Sequence, residues 1–320
     1  MKVALLGAGA MGSLIGAHFF KGGADVTLVD PFAEHINAIS ENGLKMAIGP
    51  EKSSAVYETV PLKAVLTPEE AGPQDVVVVL VKGLYTKSAL EGATALFKDD
   101  TVVISFQNGV GNVDIIKEQV PAEKTGYGTL NIGSFLNGPG DIYGNPGNGV
   151  HIHFTNNTKK LDGHWQGILD ALNAGGLLTK FSDDTDAMIW SKLLINSCVN
   201  LPCALARVTM GQLWNHPDGK IIQENIAREL VAVAQAQGID ITWESAWNAY
   251  VDDTLPGVMD HYPSATQDVM NKRKTEVDFL NGAVVRGGIE KGIPTPYNEV
   301  VLRFSHVLQD TYDVQFGTNK

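Results

Sequence analysis

The first thirty residues constrain the fold more tightly than any other stretch. A short apolar run, Lys2 to Leu6, leads into the glycine turn Gly7-Ala8-Gly9-Ala10-Met11-Gly12. A helical segment then runs to about Lys21, Gly22-Gly23 closes it, and Asp25 to Val29 forms a second apolar run that ends on Asp30. A G-x-G-x-x-G pattern alone carries little weight. Here it follows a strand, opens a helix and precedes a second strand ending in an acid, the context a dinucleotide-binding βαβ unit requires. Gly7 permits the tight turn, Gly9 lets a pyrophosphate approach the backbone, and Gly12 allows the helix to lie close to the strand. The helix N-terminus favours the phosphate charge. A carboxylate at Asp30 suits the two ribose hydroxyls and repels a 2'-phosphate. No Arg or Lys follows in DPFAEHINAI, so the reading leans to NAD over NADP.

Two further runs extend the sheet. Asp75 to Val81 (DVVVVLV) and Thr101 to Phe106 (TVVISF) are continuous and β-branched, as expected of parallel strands covered on both faces. Lys82 and Gln107-Asn108-Gly109 follow them at the carboxyl ends, where open α/β sheets hold ligands. Residues 126–154 are glycine-rich and read as turns between antiparallel strands at the far edge of the sheet. The SDDTDAMIW stretch from Ser182 signals a helix start and places a domain boundary there. The expected division is residues 1–182 as an α/β dinucleotide-binding domain and 183–320 as a helical substrate-binding and catalytic domain.

Composition narrows the partners. A net charge of −12 argues against nucleic acid and anionic membranes but leaves room for an anionic substrate held by one or two local cations. We read no 18-residue apolar span, which points to the cytoplasm. Cys198 and Cys203 lie five apart in an apolar segment and read as core residues. His151 and His153 alternate along a strand and read as a polar face, so no metal site is expected.

The chemistry concentrates in WSKLLINSCVNLP, Trp190 to Pro202. Lys192, Asn196 and Asn200 are four residues apart, so on a helix they share one face. Nearly everything between them is apolar, which assigns the helix to the interior. A cation and two amides there need partners, from neighbouring carbonyls or from a ligand. Pro202 ends or bends the helix. Farther on, Ser264 leads into a helix, and a second helix is expected to hold Glu276, Asp278, Asn281 and Gly282.

Taken together, GAGAMG, Val81-Lys82, Gln107-Asn108-Gly109, WSKLLINSCVN and PSATQDVMNKRKTEVDFLNG (Pro263 to Gly282) resemble the ketopantoate reductases, or 2-dehydropantoate 2-reductases, over essentially the whole chain. The resemblance implies a Rossmann-type domain, an all-helical C-terminal domain and an active site between them. It implies Lys192 as the general acid toward the keto oxygen, with Glu276 positioning it. Ser264 would bind the substrate carboxylate, and Asn108, Asn196 and Asn200 would orient substrate or the carboxamide side of the cofactor. Lys82 would lie near the cofactor. The family contains monomers and dimers, so a homodimer is compatible.

Two departures from the family pattern set the expected substrate. Many members carry a basic residue just past the second strand and use NADP, whereas this chain has Asp30-Pro31. Ketopantoate enzymes have an Asn before the glycine that follows the catalytic helix; here Met210 precedes Gly211. Met210, taken as substrate-lining, offers a terminal hydroxyl nothing. The family also includes D-2-hydroxyacid dehydrogenases, of D-mandelate type. The expectation is therefore NADH-dependent reduction of a branched or aromatic 2-oxo acid to the (R)-2-hydroxy acid. Ketopantoate, on the route to pantothenate, is the alternative. A non-catalytic NAD-sensing regulator is a third reading, opposed by the Lys192 and Glu276 pair.

Overall fold

A computed structural model describes residues 1–147 and 149–315. The chain separates into two compact units, Met1–Gln107 with Asn112–Thr185, and Asn108–Gly111 with Asp186–Lys320.

The first unit is α/β. Its strands are β1 (Lys2–Leu6), β2 (Asp25–Val29), β3 (Leu44–Ile48), β4 (Val56–Val60), β5 (Lys63–Val65), β6 (Val76–Val79), β7 (Val102–Ser105), β8 (Thr125–Leu130), β9 (Gly133–Gly138), β10 (Asp141–Asn145), β11 (Ile152–Asn156) and β12 (Thr179–Phe181). Eight of them form one sheet in the order β12-β11-β8-β7-β6-β1-β2-β5. Pairing is parallel from β5 through β8, and β11 runs antiparallel to β8. The direction of the chain out of β1 reverses between β2 and β6, the switch point at which doubly wound sheets bind ligands.

Side chains of the central strands divide by the two-residue period. Val3, Leu5, Val76 and Val78 join one apolar core, Ala4, Leu6, Val77 and Val79 the other, so both faces are covered. The glycine-rich stretch is more divided than the sequence suggested. β8 and β11 stay in the main sheet, whereas β9 and β10 leave it as a hairpin and join β3 and β4 in a separate sheet of order β4-β3-β10-β9. Gly140, with φ of +70°, makes the tight turn between them.

The second unit is helical. Its long helices are Thr185–Ala206, Pro217–Ala236, Asn281–Lys291 and Pro296–Asp310. The helix Thr185–Ala206 corrects two expectations. It continues through Pro202 for a further turn, so of the two expectations for the proline, ending the helix or bending it, the first is overturned. It is also long and apolar enough, by length and hydropathy, to cross a membrane, contrary to the reading that no such span exists. Most of its apolar surface is instead buried in the core of this unit, with Leu193, Leu194, Cys198, Val199 and Leu201 at 2% exposure or less. Both cysteines are free and buried.

Leu5 is completely buried and belongs to the core between the sheet and the glycine-turn helix. Leu5→Ala is expected to destabilise this unit by roughly 2–5 kcal/mol, the range for a Leu→Ala cavity in a close-packed core. Urea denaturation checks it: the midpoint should fall with little change in the slope.

Candidate active site

The glycine turn is built largely against its own backbone. Gly7 has φ of +99°, and a Cβ there would stand 2.5 Å from the backbone nitrogen of Val81. A Cβ on Gly12 would collide with the Gly7 carbonyl oxygen, so Gly12 closes the turn. Close helix-to-strand packing recurs one turn later, at Gly16, where a Cβ would meet Leu28 Cδ2 at 2.6 Å. Gly9 differs from all three, because a Cβ there would meet no atom within 4 Å. No protein atom demands glycine at that position, which fits a backbone kept bare for a ligand. Ala10 and Met11 begin the helix Ala10–Lys21, whose first turn has no acid to oppose an anion. Ala8 is buried beneath the turn.

Asp30 is held from two sides. Ala8 N–H donates to its Oδ2 at 2.8 Å, and Phe32 N–H donates to its Oδ1 at 2.9 Å. Each carboxylate oxygen keeps a lone pair for a further donor. A cavity of about 590 Å³ opens here, lined by Gly7, Gly9, Asp30, Pro31, Val81 and Lys82 among others. Its volume is within the range of small-molecule and cofactor sites. Half-buried Lys82 follows β6 at the carboxyl edge.

Gln107 was read only as part of a motif, yet it does structural work at this edge. Its Nε2 donates to the Val81 carbonyl and to Thr86 Oγ1, both at 2.7 Å, while its Oε1 accepts from Ser105 Oγ at 2.9 Å. One amide thus ties the ends of β6 and β7 together. The signal available in sequence was an amide set directly after a β-branched run. Asn108 lies on the four-residue segment that belongs to the second unit. There Val110 N–H donates to the Phe279 carbonyl at 2.9 Å, and Gly109, with φ of +87°, leaves no room for a Cβ against Phe279.

In the second unit Lys192, Asn196 and Asn200 share one face of the helix Thr185–Ala206, with Lys192 and Asn196 half-buried and Asn200 buried. Desolvation lowers the Lys192 pKa to about 8, and the Glu276 carboxylate pulls in the opposite direction. Glu276 is not on a helix, contrary to expectation. It precedes the 3-10 turn Val277–Phe279, and the helix begins only at Asn281. The turn brings a partly buried carboxylate to bear on Lys192, which a continuous helix with Asn281 inward would have aimed elsewhere.

The helix bearing Lys192 is anchored by buried amides. Asn281 Nδ2 donates to the Ser197 carbonyl at 3.2 Å and to Asn298 Oδ1 at 3.0 Å. Asn298 Nδ2 in turn donates to Glu229 Oε2 at 2.8 Å. Glu229 also takes the N–H groups of Tyr297 and Asn298 at 2.9 and 3.0 Å, so it caps the Pro296–Asp310 helix from 68 residues away. Ser264 is the exposed first residue of the helix Ser264–Met270. Met210 is 5% exposed and belongs to the apolar core of this unit with Leu213. Packing accounts for its apolar side chain without a substrate.

Comparison with known proteins agrees with this architecture. The family profile described as "Ketopantoate reductase PanE/ApbA" matches residues 3–156, and "Ketopantoate reductase PanE/ApbA C terminal" matches residues 184–309. The 2-dehydropantoate 2-reductase of Streptococcus pyogenes serotype M1 is 32% identical over 316 residues, covering 98% of this chain and 100% of the relative. That of Halobacterium salinarum is 31% identical over 298 residues, covering 92% of this chain and 95% of the relative. Among solved structures, the ternary structure of D-mandelate dehydrogenase with NADH and anilino(oxo)acetate is 30% identical. Its TM-score is 0.86, with 98% of this chain and 100% of that one covered. The fold and the anchored lysine helix define a dinucleotide-dependent oxidoreductase. The chain belongs to the ketopantoate reductase family.

The opposing influences on Lys192 can be separated. Glu276→Gln should move the pKa of Lys192 below about 8, because it removes the charge that raises it and leaves the desolvation. Methyl resonances of ¹³C-dimethylated lysines, followed by NMR through pH 6 to 11, would report both values. A higher value in the variant would contradict this account.

Proposed function

We propose that the protein is a 2-oxo acid reductase of the 2-dehydropantoate 2-reductase type, and that NADH is its reductant. The observation that carries the reaction class is a lysine with its pKa lowered to about 8 beside a carboxylate, on a helix whose polar stripe continues in Asn196 and Asn200. The first unit would act as the dinucleotide-binding domain and the second as the substrate and catalytic domain. Gly7 to Gly12 would hold the pyrophosphate, with Asp30 on the adenosine ribose and Lys82 and Asn108 nearby. When bound, the cofactor supplies the hydride that reduces C2.

The remaining chemistry belongs to side chains of this chain. As C2 is reduced, the carbonyl π electrons move to the keto oxygen, and the Lys192 ammonium gives that oxygen its proton. At neutral pH an amine with a pKa of about 8 is mostly protonated but close enough to neutral to release a proton readily. Glu276 keeps it charged. Ser264 would bind the substrate carboxylate, while Asn196 and Asn200 orient the oxo acid. A sensor without turnover has no use for this lysine.

Substrate choice now leans to ketopantoate. The argument for a branched or aromatic acid rested on Met210 lining the site, and that side chain is in the core. The curated relatives at 31–32% identity are 2-dehydropantoate 2-reductases. The D-mandelate type stays as a second reading on one observation, the structural likeness at a TM-score of 0.86. NADH is favoured over NADPH because the bound Asp30 carboxylate at the cavity would face a 2'-phosphate.

A second copy of the chain is the partner we propose beside the small substrate, in the cytoplasm. On the helix Pro296–Asp310, Tyr297, Val300, Phe304 and Val307 are 37–61% exposed at three- and four-residue steps. An apolar cavity of about 500 Å³, lined by Pro202, Leu205, Leu213, Ile222 and Val300, lies on the same face. A protruding ring and a hollow on one face meet the self-complementary condition of a two-fold interface. Glu299 and Arg303, paired at 3.0 Å, place both charges on this helix, so an antiparallel copy would meet opposite charges.

Steady-state kinetics with both cofactors on ketopantoate, 2-ketoisovalerate and phenylglyoxylate tests the catalytic reading. NADH with ketopantoate should give the highest kcat/KM, and Asp30→Arg should shrink or reverse the cofactor preference. Reduction needs the protonated lysine, so kcat/KM should hold below pH 8 and fall about tenfold per unit above it. Lys192→Ala should lower kcat by roughly 10²- to 10⁴-fold. Turnover close to normal in that variant would remove the general acid. For the dimer, sedimentation velocity should give twice the 34.3 kDa chain mass, and Phe304→Glu should shift it to monomer.

A further inference from the structure

His35 stands one layer behind the glycine turn, 1% exposed, on the helix Ala33–Asn42. Both ring nitrogens are engaged. Gly140 N–H donates to Nδ1 at 2.9 Å, and Ser13 Oγ lies 3.0 Å from Nε2. Ser13 Oγ is also 2.9 Å from the Ala8 carbonyl oxygen, to which it donates. A backbone amide can only donate, so Nδ1 carries no proton and the neutral ring holds its proton on Nε2. That proton goes to Ser13 Oγ, whose own proton goes to Ala8. Each donor and acceptor in the series is then fixed: Gly140 N–H to Nδ1, Nε2–H to Oγ, Oγ–H to the Ala8 carbonyl.

The end of the series bears on the ligand loop. Ala8 stands between Gly7 and Gly9, and its N–H is already fixed on Asp30 at 2.8 Å. With its carbonyl fixed by Ser13, two successive peptide planes of the turn are oriented. In a trans peptide the C=O and the following N–H point opposite ways. A carbonyl turned inward to Ser13 therefore aims the Gly9 N–H away from it, on the residue that lines the cavity.

We propose that His35, as its Nε2–H tautomer, is a positioning residue for dinucleotide binding, acting through Ser13 to orient the Gly9 N–H toward the pyrophosphate. This rests on the nicotinamide-dinucleotide reading given above. The hydrogen-bond pattern also predicts what acid does. An imidazolium would set an N–H on Nδ1 against the Gly140 N–H, breaking the first bond of the series. Burial disfavours that form. Among the described residues the ionisable group acting on the ring is Asp30, which favours it less strongly, and the Ala8 backbone, bonded to the ring as well as to Ser13, favours it in the same sense; Ser13 and the Gly140 amide are neutral.

NADH affinity of the whole protein, measured by fluorescence titration, tests the proposal in wild type, Ser13→Ala and His35→Asn, each checked by thermal melting. Ser13→Ala is the milder change and keeps the test open if His35→Asn does not fold. Ser13→Ala should raise the Kd for NADH and for ADP-ribose about 3- to 10-fold, the value of one neutral hydrogen bond. The Kd for adenosine, which has no pyrophosphate, and kcat at saturating NADH should change less than about 2-fold. Wild-type affinity should hold from pH 7.5 to 6.5 and weaken only as the pH falls below 6.5, because burial lowers the His35 pKa, and that trend should flatten in His35→Asn. In wild type, ¹⁵N NMR should show protonated Nε2 and unprotonated Nδ1. Wild-type NADH binding that Ser13→Ala leaves unchanged, or a protonated Nδ1 at neutral pH, would overturn the proposal. Wild type that binds no NADH at all would overturn the dinucleotide reading beneath it.

Discussion

Keeping one ammonium inside an apolar helix is the constraint on which the second unit depends. The depression of Lys192 to about 8 corresponds to about 3 kcal/mol of preference for the neutral amine. An unfolded chain would hold its proton up to the ordinary lysine value of 10.5. Folding therefore works against the charged form below pH 8, and that burden is relieved as the pH rises from 8 toward 10.5. The protein carries the burden with a carboxylate held in a non-helical turn and with buried amides that fix the helix backbone at Ser197. A looser helix would let the ammonium reach water and return to an ordinary pKa.

The first unit handles the opposite charge by other means. The turn Gly7 to Gly12 has no basic side chain and the chain is strongly acidic, so backbone N–H groups, with Lys82 at the cavity edge, are what the unit offers an anion. Their value depends on orientation. That explains why so much polar machinery behind the turn, Asp30, Ser13 and His35, bonds to backbone. A carboxylate within reach of the anion site is tolerable because both its oxygens are engaged by N–H donors.

Local signals were legible and distant ones were not. The turn from Gly7 to Gly12, the β-branched runs and the stripe Lys192, Asn196, Asn200 are periodic patterns over a few residues, and the elements formed where they indicated. Glu276 was identified through the family pattern, but its 3-10 setting was not, because TEVDFLNG scans as helix by composition alone. Gly16 was overlooked because its contact, Leu28, belongs to the next strand. His35 carries no signal in its own stretch of sequence, because the group that reaches its Nδ1, Gly140, lies 105 residues later. Glu229 as the cap of a helix at Pro296 is the same case.

Met210 shows why substrate identity is harder to read than reaction class. A general acid must satisfy chemistry that only a few residue types can perform, so Lys192 beside Glu276 limits the possibilities sharply. An apolar residue near a motif can face the ligand or the core, and sequence is silent on which. Here the Met210 N–H is bonded to the His261 carbonyl and its side chain packs with Leu213 inside the unit. On the reading proposed above, discrimination would come from polar side chains on the helix Thr185–Ala206, Asn196 and Asn200. Two amides can both donate and accept, so in that role they would offer a substrate hydroxyl partners of either kind.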